Sequence, residues 1–152
     1  RARRFSAQIE QVGTDLDLHL LHDVGFSWFD PDHDCFRNNP NPDWGASGPD
    51  NDPRYDRDDT DGAGPENINM GVPEEGRRYR LGVHYWDDWG YGASFATVRV
   101  YVYGVLRDQW ADVQLGKDDF WETHTIDWPS GIVTRVGTTP TIIPKYRETH
   151  GL

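Results

Sequence analysis

An all-β fold, an antiparallel sandwich of about eight strands in a single domain spanning residues 1–152, is what this sequence predicts. Three observations carry the prediction. Apolar and polar residues alternate over short runs, aromatic residues are abundant, and turn residues recur at intervals of roughly ten positions. Seven Trp, seven Tyr and six Phe stand against one Met, a balance that suits half-buried pleated faces better than helices. Sixteen Gly and ten Pro supply the punctuation. A chain of 152 residues has enough length for one core. At a mean hydropathy of −0.81, its apolar residues must be concentrated in a few segments.

In chain order, Ser6 to Gln11 alternates weakly and Asp15 to His22 clearly. In the second run Leu16, Leu18 and Leu20 fall on one strand face, with Asp15, Asp17 and His19 on the other. Residues 30–66 are rich in Pro, Asn and Asp but interspersed with Phe36, Trp44 and Tyr55, just after Phe29. That mixture predicts a long ordered loop, and such a loop inside a compact domain needs an internal anchor such as a metal. Strands are expected over 67–70 and 78–86, then a Gly-containing turn over 87–92 that joins them hairpin-fashion to 95–103. Further strands are expected over 109–115, 120–128 and 132–136. No stretch reads as an amphipathic helix. The expected core spans about 5–136, with 137–152 an extended arm or frayed end.

The net charge is −11 and the pI about 4.8, which argues against nucleic acid and anionic membranes, both of which demand a basic footprint. Cations and basic surfaces suit it better, and 14 of the 26 acids fall between Asp15 and Glu66. The lone Cys35 excludes an intrachain disulfide; a buried thiol, or one paired between chains, is expected. There is no run of 18 apolar residues to span a membrane as a helix. Opening on Arg1-Ala2-Arg3-Arg4, the chain reads as a processed product or a piece of something longer.

The strongest chemical signal is the run Asp56-Arg57-Asp58-Asp59-Thr60-Asp61-Gly62-Ala63-Gly64-Pro65-Glu66. Calcium takes six to eight hard oxygens, which clustered carboxylates and the carbonyls of a Gly-containing turn can supply. Four aspartates within six residues repel one another unless a cation lies among them. An EF-hand does not fit: with Gly62 at the invariant glycine position, Arg57 and Ile68 occupy places that require acids. The expected site is composite, with Asp15 and Asp17 converging on Asp58, Asp59, Asp61 and Glu66 around Ca2+. A solvated acidic turn is the alternative.

Trp86, Asp87, Asp88, Trp89 and Tyr91 form a second candidate, in which rings beside paired acids would stack and hydrogen-bond a sugar; an ordinary turn is the alternative. Asp30, Asp32 and Asp34, alternating around His33, are a weaker calcium candidate. No paired-histidine or thiolate spacing points to zinc, although His19 and His84 would meet if their strands were neighbours. There is no Gly-x-Ser-x-Gly elbow, phosphate loop or His-Glu-x-x-His motif, so no catalytic residue and no enzymatic activity are expected.

The run Asp15-Leu16-Asp17-Leu18-His19-Leu20, followed by Asp58-Asp59-Thr60-Asp61-Gly62 and Gly64-Pro65-Glu66-Asn67-Ile68, resembles a bacterial family of uncharacterised secreted β-sandwich domains. These look related to pre-peptidase C-terminal domains, and the resemblance covers most of residues 5–136. It implies a jelly-roll-like sandwich, export to the periplasm, cell surface or medium, and an accessory or adhesive role beside other domains. It also implies calcium at the Asp-x-Asp and Asp-Asp-x-Asp-Gly positions. The function expected is therefore a calcium-binding extracellular module for adhesion or assembly, self-assembly through edge strands included. The alternative is a carbohydrate-binding module using Trp86, Trp89, Tyr91 and Trp44.

Overall fold

The computed structural model describes residues 5–11, 15–23, 25–36, 39–44, 53–57, 66–71, 73–87, 94–116, 119–136 and 141–142. Every strand pairing in it is antiparallel. The strands are β1 (Phe5–Gln11), β2 (Asp15–Leu21), β3 (Asp34–Cys35), β4 (Pro53–Arg57), β5 (Glu66–Met70), β6 (Arg78–Asp87), β7 (Ser94–Val102), β8 (Val105–Leu115), β9 (Asp119–Asp127), β10 (Val133–Arg135) and β11 (Thr141–Ile142). Among the described residues there is no helix. One sheet runs β4-β5-β1-β7-β8; the other runs β10-β9-β6-β2-β3, with β11 also on β9. The all-β expectation holds, and eight of these strands are five residues or longer.

The alternation read in the sequence builds the core. Leu16, Leu18 and Leu20 lie opposite Tyr85, Val83 and Leu81 in the β2–β6 register, and all six are buried. Ile68, Met70 and the β7 residues Ala96, Val98, Val100 and Val102 join the same cluster from the other sheet. Burying one such leucine contributes about 2 kcal/mol, and a one-residue slip would turn all three away from the space between the sheets at once, so the hydrophobic pattern dictates the register. In β9 the alternation is broken by a bulge: Gly82 pairs with Glu122 but Leu81 with His124, leaving Thr123 as the extra residue. That insertion lets Trp121 and Ile126, five positions apart, share the buried cluster.

Three sequence expectations are corrected. The connection after Asp87 is no hairpin, because β6 pairs with β2 and β9 whereas β7 pairs with β1 and β8. Both strands have both edges occupied, so the chain crosses from one sheet to the other. Residues 30–66 are not all loop, for they contain β3 and the edge strand β4. Finally, β8 starts at Val105 rather than 109; two register shifts against β7 break its alternation.

The outer face of β2 is also buried. The strap that follows β2 lays Trp28, Phe29 and Phe36 over it, packed with Leu21 and Phe120 in a second cluster. Gly82 makes room for this layer: a Cβ there would lie 2.5 Å from Phe120 Cε1 and 3.1 Å from Trp28 Cη2. Within the strap, Cys35 is buried, and burial first and Asp34 second push its thiol well above the ordinary range.

Candidate functional site

The strand directions bring Asp15, Glu66 and Asp87 to one end of the sandwich. Asp15, the first residue of β2, pairs with Asp87, the last of β6, beside a register irregularity between Asp15 and Leu16. Glu66 opens β5, level with Arg57 at the end of β4 and with Ile9 near the end of β1. Ser94 and Leu115 pair at the same end of β7 and β8. β1, β4, β6 and β8 therefore end, and β2, β5, β7 and β9 begin, at this end.

Asp17 lies two residues inside the edge, opposite His84 and only 5% exposed. Asp58, Asp59 and Asp61 of the expected calcium set lie outside the described residues, as do Asp88, Trp89 and Tyr91 of the expected sugar set. The backbones of Asp15, Glu66, Trp86 and Asp87 are placed at this end by the strands that carry them. Two sets that were separate in sequence thus share one end, since the Asp15–Asp87 pairing joins them. Among the described residues, no three His, Cys, Asp or Glu side chains converge as metal ligands.

The alternating Asp30, Asp32 and Asp34 do not converge on a common point. Asp34 is fully buried and accepts from His19 Nδ1 and from the Phe29 N–H, each at 2.7 Å. Burial pushes its carboxyl upward, opposed by His19 and by that backbone bond. Asp30 accepts from His33 Nδ1 at 3.0 Å and from the Asp32 N–H at 2.9 Å, whereas the Asp32 side chain is exposed.

Histidine–carboxylate pairing is the feature that sequence reading missed. Besides His19–Asp34 and His33–Asp30, His22 Nε2 bonds Glu74 and His124 Nε2 bonds Asp108 at 2.7 Å. The partners stand 3 to 52 positions apart, so no spacing rule could find them. His19 stacks on Phe36 at 4.5 Å and meets Phe29, Phe120 and His84 edge-on or tilted, the strands of His19 and His84 being neighbours. An oriented histidine–aspartate pair is what general-base catalysis uses, but at 0% exposure this one has no access to a substrate.

Compared with known protein families, curated proteins and solved structures, the chain matches none.

Proposed function

We propose that this domain is a calcium-binding, non-catalytic accessory module of the extracellular or cell-surface kind, in which Ca2+ bound at the acidic end shapes a surface for adhesion or assembly. The observation that supports the reading is the Asp15–Asp87 pairing at the end of the sandwich where β4 stops and β5 begins, which puts Asp15, Asp17 and Glu66 at or near the end where the chain enters and leaves the 58–65 stretch. Carboxylates from several reversals supply the hard oxygens calcium requires, and the ion removes a repulsion that otherwise opposes folding. The resemblance to secreted sandwich domains points the same way. The shared end also favours a second reading, a glycan held by Trp86, Trp89 and Tyr91 beside the ion.

The test is thermal unfolding in excess EDTA and then in millimolar calcium or magnesium. An ion that binds only the folded state stabilises it by about 2.7 kcal/mol at a hundredfold excess over Kd. A clear rise in Tm with calcium, smaller with magnesium and lost in Asp59→Asn/Asp87→Asn, supports the reading. An unchanged Tm removes the ion and leaves a solvated acidic surface.

A further inference from the structure

The opposite end of the molecule holds a cleft of about 430 Å3 between the end of β2 and the strap, its wall including His22, Asp32, His33, Asp43 and Trp44. Several of its hydrogen-bond donors are engaged within the protein. Trp44 Nε1 donates to the Asp32 carbonyl at 2.9 Å, and the Asp32 N–H to Asp30. A carboxylate can only accept, so His22 Nε2 donates to Glu74 and His33 Nδ1 to Asp30. In a neutral imidazole that leaves the second nitrogen as an acceptor. His22 is 5% exposed and its Nδ1 is buried without a hydrogen-bond partner. Burial lowers its pKa despite Glu74, which keeps the ring neutral near pH 7.

The cleft therefore presents negative charge, the exposed carboxylates of Asp32 and Asp43, neither of which forms an ion pair with a described residue, beside a His22 ring whose Nδ1 is buried with no hydrogen-bond partner. Trp44 and His22, stacked at 4.4 Å and 4°, form a rigid aromatic part of the wall.

We propose that this cleft is a binding site for an organic cation, the ammonium or guanidinium head of a basic side chain on a partner protein. Two exposed carboxylates beside an aromatic wall suit a group that carries positive charge and only donors, and they repel anions. A bare metal ion fits less well, since no three ligating side chains converge there. The site is independent of the calcium reading, lying at the other end of β2.

The test is an NMR titration of the calcium-loaded domain with N-acetyl-lysine methylamide and N-acetyl-arginine methylamide. The norleucine analogue and zinc chloride serve as the other arms, with the Trp44 indole and the His22 and His33 imidazoles as reporters. The expected result is saturable shifts with either cation, weakened by salt, and an affinity about tenfold lower in Asp32→Asn/Asp43→Asn. Both substitutions are at exposed positions, and an unchanged thermal unfolding midpoint checks that the fold survives them. No shift with either cation overturns the proposal. Equal shifts with norleucine, or tight zinc binding with no response to amines, overturn it too, the first by showing apolar contact alone and the second by showing a metal site.

Discussion

Two histidine–aspartate pairs of equal length, 2.7 Å, sit in opposite settings in this protein. His19–Asp34 lies between β2 and the strap, sealed by aromatic rings, with His19 Nε2 and Asp34 Oδ1 buried and lacking hydrogen-bond partners. His124–Asp108 bridges the two sheets at their open edge, where β8 and β10 end the sheets. There every polar atom is tied in: His124 Nδ1 to Thr123 Oγ1 at 2.8 Å, and Asp108 to Arg135 by two bonds of 2.8 and 2.9 Å. Arg135 in turn lies over the Trp110 ring, which meets Trp121 edge-on. The same contact is isolated in one place and networked in the other. His19 then depends wholly on Asp34, which has only the Phe29 N–H besides, while a network in reach of water can share a loss.

The largest effect is expected in the sealed pair. Asp34→Ala strands His19 among rings and unbinds the Phe29 N–H; urea unfolding should register a loss of about 3–5 kcal/mol. Replacing both partners by apolar groups, His19→Phe with Asp34→Leu, should recover more than half of it, since an apolar pair carries no desolvation cost. A double variant as unstable as the single one would show that the hydrogen-bonded pair itself holds the strap down.

A smaller effect, about 1–3 kcal/mol, is expected from Asp108→Asn, and it should depend on pH. The Arg135 bond first, then His124, holds the Asp108 carboxyl down at about 2, below its ordinary 3.8. A depressed carboxyl stabilises the fold above the ordinary value, and that stability drains as pH falls from about 4 to 2. Burial lowers His124 below 6.5 despite Asp108, so acid favours the unfolded chain as soon as pH drops under that value. Urea midpoints measured from pH 8 downward should therefore decline in two stages, with the lower stage missing in Asp108→Asn. A midpoint flat from pH 7 to 5 would contradict the assignment for His124. The smallest effect belongs to Arg135→Gln: its side chain is 49% exposed, and solvent screening limits the loss to about 0.5–1 kcal/mol.

The sequence made the sandwich legible where one face is apolar and the other is not. The leucines of β2 and the valines of β7 announce their strands, and both were found. What stayed hidden was decided by distant partners. Tyr55 is the only large apolar residue in β4, and Pro53 opens it, so nothing local marks a strand that forms by pairing with β5. The segment after Asp87 carries turn chemistry whether it folds back or crosses over, and only the occupied edges of β6 and β7 decide. For the candidate site, acid-rich segments were readable as composition. Their shared end depends on the Asp15–Asp87 register, 72 positions apart, which no pattern of spacing encodes. The histidine pairs were illegible for the same reason.

The bulge at Thr123 has a consequence for how this fold tolerates change. One extra residue acts as a phase shifter in β9, swapping which parity of side chain points inward from that point on. Were Thr123 instead paired in ordinary alternation, Phe120 and Trp121 would stay where they are but Ile126 would turn outward and Thr125 inward. Deleting Thr123 would bring His124 directly after Glu122 with Thr125 and Ile126 still opposite Arg80 and Tyr79, so β9 could lose this one residue and keep its phase, whereas a deletion elsewhere between Trp121 and Ile126 would depend on the bulge moving to absorb it.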